Sequence, residues 1–127
     1  MKEQIEFRGA SGAAYRFRLA ENGDPKTTIS GNFIYVRDAE AKPEVVYAGA
    51  TTNLASGVRE KWDEAVKNHG ATHIYTRLNI AGAARAQELS DLVDALHPVM
   101  NEGGASKPAR RSRKEEVSDS ADSGSPG

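Results

Sequence analysis

The spacing at which apolar residues recur, two before Leu54, three to four from Leu54 to Ala65, and two again over Thr72–Leu78, limits the folds open to this chain more than any other feature. Gln4–Arg8 alternates with Ile5 and Phe7 on one side, and Ala14–Leu19 sets Tyr15, Phe17 and Leu19 opposite Arg16 and Arg18. With Gly9 and Gly12 between them, the two segments predict a half-buried β-hairpin. Asn22-Gly23-Asp24-Pro25 breaks the chain before a third strand at about Gly31–Arg37. Val45-Val46-Tyr47, short and rich in β-branched residues, predicts a fourth. From Leu54 the apolar positions Leu54, Val58, Trp62 and Ala65 draw one stripe along an amphipathic helix that runs to about Asn68 and stops at Gly70. This stripe predicts that Trp62 is a core residue.

Thr72–Leu78 returns to period two, with Ile74, Thr76 and Leu78 opposite His73, Tyr75 and Arg77, and predicts a fifth strand. Leu89, Leu92, Val93 and Leu96 then mark a second helix, from near Ala83 to just before Pro98. The expected fold class is α/β: a small mixed or antiparallel sheet, extended by the N-terminal hairpin, with two helices packed on it. Residues 1–102 form the single expected domain. Beyond it Val117 is the one large apolar residue among Gly, Ser, Ala, Pro and charge, so 103–127 cannot bury enough surface to offset its ordering entropy and reads as a disordered tail.

Composition excludes some chemistry. The 127 residues include no cysteine, which rules out disulfides, thiolate metal sites and cysteine nucleophiles. No apolar stretch approaches the roughly 18 residues of a membrane span, and the charged start carries no leader pattern, so a cytoplasmic protein is expected. His69, His73 and His97 lack metal-ligand spacing. Of the 17 basic and 18 acidic residues, five and four fall in the tail, leaving 12 and 14 in the domain. The run from Lys107 to Lys114 offers nonspecific phosphate contacts, partly cancelled by Glu115 and Glu116.

Four short motifs stand in order within this frame: Phe33-Ile34-Tyr35, Tyr47-Ala48-Gly49, Asn53-Leu54 and Pro98-Val99-Met100-Asn101. With the strand and helix order from about 31 to 101, they resemble the GIY-YIG endonuclease superfamily. The resemblance implies phosphodiester hydrolysis by one divalent ion, Mg2+ or Mn2+, on a helix glutamate, with a tyrosine-assisted water and an arginine stabilising charge. Such a metal lowers the pKa of its water, and a guanidinium gives paired donors to phosphate oxygens. On this chain the implied catalytic residues are Tyr35, Tyr47, Arg59 and Glu88, with Glu88 the metal ligand and with Gly49 and Asn101 completing the motifs.

Two positions depart from the family pattern. The arginine slot, three residues after Leu54, holds Gly57, and Arg59 lies about 200° further round a helix. The glutamate slot, nine residues before Pro98, holds Leu89, with Glu88 about 100° away. Plainer roles stand beside the catalytic ones. Tyr35 and Tyr47 can be packing tyrosines at a sheet edge, Gly49 a turn residue, Arg85 and Glu88 a solvated pair, and Asn101 a structural tie. The expectation is a divergent domain associated with DNA or RNA whose catalytic activity is impaired or lost. Its alternatives are an active metal-dependent endonuclease and a domain for protein contacts alone.

Overall fold

A computed structural model describes residues 2–20, 27–37 and 43–102. The turn expected at Asn22–Pro25, and the tail from 103 with its basic run, lie outside these residues. Five strands, β1 (Gln4–Arg8), β2 (Ala14–Leu19), β3 (Gly31–Arg37), β4 (Glu44–Thr51) and β5 (His73–Leu78), form one curled sheet. Their order across it is β1-β2-β5-β3-β4, and every neighbouring pair is antiparallel. The fold is α/β, with a wholly antiparallel sheet. Among the described residues no helix is long and apolar enough to cross a membrane.

Both faces of the sheet carry a core. On one face Phe33, Tyr35, Val46 and Ile74 meet Leu54 of the single turn α1 (Leu54–Gly57), Val58 and Ala65 of α2 (Trp62–His69). On the other, Phe7, Phe17, Ile34, Val36, Ala48 and Tyr75 pack beneath Leu92 of α3 (Gly82–Leu96). Being covered on both sides, β3 is buried at six successive positions, and its run of Phe33 to Val36 has no polar alternation. A bulge puts Val46 between the pairs Tyr35↔Tyr47 and Val36↔Val45, so that Val46 and Tyr47 both pack towards the α1–α2 face.

Two expected elements differ. The strand expected at Val45–Tyr47 continues to Thr51, because pairing with β3 carries Ala48, Gly49 and Ala50 along despite their low strand propensity. The single helix expected from Leu54 to Asn68 is broken between Gly57 and Trp62. The cause is Tyr35. Its hydroxyl donates to the Val58 carbonyl at 2.7 Å and accepts from the Lys61 N–H at 3.2 Å, occupying the place of the next helical hydrogen bond. Trp62 N–H turns instead to Arg59 O at 3.0 Å.

At the β4 edge a one-turn helix, α4 (Val99–Glu102), presents Asn101 to the strand. The Asn101 amide accepts from Ala48 N at 2.8 Å and donates to Ala48 O at 2.9 Å, satisfying one residue's worth of exposed edge. One position along, Gly49 faces Phe33 across the strand pair, and a Cβ there would stand 2.5 Å from Phe33 Cζ. Gly49→Val is therefore expected to lower unfolding free energy by about 1–3 kcal/mol through overpacking. Urea denaturation should show a shifted midpoint at unchanged slope.

Candidate functional site

Tyr35 and Tyr47 are cross-strand partners, and their rings lie 5.4 Å apart in an aromatic group with Phe33 and Trp62. Trp62 meets Tyr35 edge-on at 5.0 Å and packs against the core. Both hydroxyls already have partners. Tyr35, fully buried, spends its hydroxyl on the backbone between α1 and α2, and Tyr47 donates to Glu60 Oε2 at 3.1 Å. Burial raises the Tyr35 pKa above the usual tyrosine value. Burial first, then the charges of Glu60 and Glu64, push Tyr47 up to about 12. Neither hydroxyl is set to take a proton from water near neutrality.

Arg59 sits in the turn between α1 and α2, its charge felt by the Tyr35 hydroxyl. Gly57, in the arginine slot of the family pattern, has no room for a side chain: a Cβ would come within 2.1 Å of Thr51 Oγ1. Gly49 admits the Phe33 ring, and Asn101 holds the β4 edge, as described above. These residues cluster around one side of the β3–β4 pair.

Glu88 is elsewhere. It projects from α3 onto the opposite face of the sheet, the face of Asn32, Ile34 and Val36, so no single cleft holds its carboxylate and the two tyrosine hydroxyls. Its side chain is 5% exposed. Oε1 accepts from Arg77 Nε and from Asn79 Nδ2, each at 3.1 Å, and Oε2 is buried without a hydrogen-bond partner. Asn79 also donates to buried Asn32 Oδ1 at 3.2 Å, and Asn32 Nδ2 donates to Arg85 O at 3.2 Å. Burial raises the Glu88 pKa, against the smaller opposing effects of Arg77 and Asn79.

This donor set does not fit a hydrolytic Mg2+ or Mn2+. Such an ion needs carboxylate oxygens open to water and phosphate as well as to itself. Here a guanidinium already offsets the one carboxylate, and both of its oxygens are enclosed. Among the described residues no three His, Asp or Glu side chains converge.

Three features lay outside the sequence expectations. Asp91 on α3 accepts from Ser11 N at 2.8 Å, Ser11 Oγ at 2.7 Å and Tyr15 OH at 2.8 Å, fastening the hairpin to the helix. Asn32 belongs to the Glu88 network, and its place in a run with no alternation was the available signal, since a polar residue buried on both sides requires partners. An open groove, about 580 Å³ in volume, lies over the uncovered side of the hairpin, lined by Gln4, Glu6, Ala14, Arg16, Arg18 and Arg77. Compared with protein-family models, curated proteins and solved structures, the chain matches none of them.

Two sets of variants test these assignments. Tyr35→Phe strands the Val58 carbonyl and is expected to cost about 1–3 kcal/mol. Tyr47→Phe gives up an exposed bond and should stay within about 0.5 kcal/mol in the same denaturation assay. Asp91 and Glu88 shift in opposite directions. The Ser11 hydroxyl, then the Tyr15 hydroxyl, hold the Asp91 pKa low, so its stabilisation is present above the ordinary value, about 3.9, and is lost as pH falls through the folded value. The raised Glu88 does the reverse, losing stability as pH climbs past the ordinary glutamate range through its folded value. Midpoints measured from pH 3 to 7 should lose part of their acid decline in Asp91→Asn and part of their decline with rising pH in Glu88→Gln.

Proposed function

We propose that this chain is a non-cleaving, GIY-YIG-like domain that binds nucleic acid. The placement of Glu88 carries the reading: a carboxylate locked to Arg77 and Asn79 on one face, two engaged tyrosine hydroxyls on the other. Hydrolysis by the family's route needs metal, nucleophilic water and phosphate within one cleft. The ordered motifs support the kinship, since Tyr35 and Tyr47 stand directly opposite on neighbouring strands and the Asn101 motif folds back onto Ala48. The arginines of the hairpin support an anionic partner, although the domain's total charge is slightly negative.

A specific observation favours a second reading. Ile29, Leu78 and Ile80, 41%, 56% and 74% exposed, stand where the Gly31↔Leu78 pair and the Asn79–Ser30 bond bring the ends of β3 and β5 together. Such an apolar patch suits a protein contact.

Incubation of the full chain with plasmid and with branched DNA in Mg2+ or Mn2+ is expected to give no nicking, while labelled DNA or RNA is retained at low salt and released as salt rises. Metal-dependent cleavage abolished by Glu88→Ala would overturn the reading. Absence of retention at low salt would leave the protein-contact reading in its place.

A further inference from the structure

The outer face of the hairpin is the sheet surface that neither core covers. Gln4, Glu6, Arg8, Ala14, Arg16 and Arg18 are all exposed there, while Ile5, Phe7, Tyr15 and Phe17 point the other way. β2 and β5 pair only at Arg18↔Thr76 and Leu19↔Tyr75. Beyond those pairs the strands part, and Arg77 reaches the groove from β5. Among the described residues no hydrogen bond or ion pair engages the side chain of Arg16 or Arg18. Arg77 differs: it borders the groove, but its guanidinium turns to the inner, α3-facing side, held by Glu88 at Nε with its Cζ 5.5 Å from the centre of the Tyr15 ring.

We propose that this groove is the nucleic-acid contact of the domain, taking one extended single strand with its phosphates on Arg16 and Arg18. The proposal rests on the nucleic-acid reading above and places the contact away from the tyrosine pair. Arg16 and Arg18 stand two residues apart on one strand, about 6.8 Å, and so line up along a single track. That arrangement suits a flexible backbone following a charged groove better than a duplex, whose reading calls for a helix or ribbon seated in the DNA. The tyrosine side is mixed in charge: Glu60 and Glu64 act on Tyr47, and Arg59 acts on Tyr35. Carboxylates beside Tyr47 disfavour phosphate there, whereas the side chains of Arg16 and Arg18 favour it at the hairpin.

Fluorescence anisotropy of the full chain with labelled single-stranded DNA and RNA, with duplexes of the same sequence and with a polyglutamate peptide tests the assignment. The wild type is expected to bind the single strands more tightly than the duplexes or the peptide. Arg16→Gln with Arg18→Gln should weaken single-strand binding at least tenfold and reduce the slope of log K against log salt by about 1.4, the release expected for two phosphate contacts. Glu6→Lys replaces the acidic lining residue and should tighten binding, which keeps the proposal testable if the double variant folds poorly. Wild-type affinity and slope in the double variant, with no gain in Glu6→Lys, would overturn the groove and leave the nucleic-acid reading intact. Equal binding of polyglutamate would also overturn it, and no binding of any nucleic acid by the wild type would remove both.

Discussion

The Tyr35 hydroxyl, set between Val58 O and Lys61 N, determines how the α1–α2 side of the molecule is built. A buried phenol must find partners for its proton and its oxygen. A helix interrupted by one residue group has a spare carbonyl and a spare N–H to offer, so the two requirements cancel. With the ladder broken there, α2 starts afresh at Trp62 and lays that ring edge-on against Tyr35. The bulge at Val46 then brings Tyr47 onto the same side, beside Tyr35 and Phe33. The aromatic group and the helix break are thus one arrangement, and a hydroxyl used to hold a backbone open is no longer available to reacting groups.

Polar contacts play the corresponding part across the sheet. Leu92 supplies the buried apolar anchor of α3, but Glu88 and Asp91 on the same helix fix its angle, one through Arg77 and Asn79, the other through Ser11 and Tyr15. Breaking a buried ion pair leaves an uncompensated charge, so the Arg77–Glu88 contact constrains β5 and α3 more than its net energy suggests. Asn32 joins β3 to the same network through Asn79 and the Arg85 carbonyl. Three elements meet around one carboxylate, and this accounts for a glutamate in a helix face that packing alone would make apolar.

The local patterns were legible where one physical demand dominated. Period-two alternation located β1 and β2 to the residue, because one face of the hairpin is buried and the other is not. The unbroken apolar run located β3, and the Leu89–Leu96 stripe located α3 within a residue. Legibility failed where a distant side chain decided the outcome. The stripe from Leu54 to Ala65 is a sound helical pattern, and nothing within it reveals that a tyrosine from β3 will interrupt it. Likewise the sequence offers Glu88 as an implied metal ligand or as a solvated partner of Arg85, since its partners Arg77 and Asn79 lie on and just beyond another element. The motifs single out Tyr35 and Tyr47, whereas Arg16 and Arg18 enter the sequence only as the polar half of an alternation.

Charge, finally, is separated across this molecule in a way its total conceals. The carboxylates of Glu60 and Glu64 act on Tyr47, and the exposed side chains of Arg16 and Arg18 line the hairpin groove. At physiological ionic strength fields fade over about 8 Å, so each surface acts on a ligand mainly through its own charges. A phosphate backbone approaching from solution would therefore meet attraction and repulsion at different places. The geometry of Tyr35 and Tyr47 and the charges around them point to one consequence: the hairpin groove, and not the tyrosine pair, is the better placed to hold a phosphate.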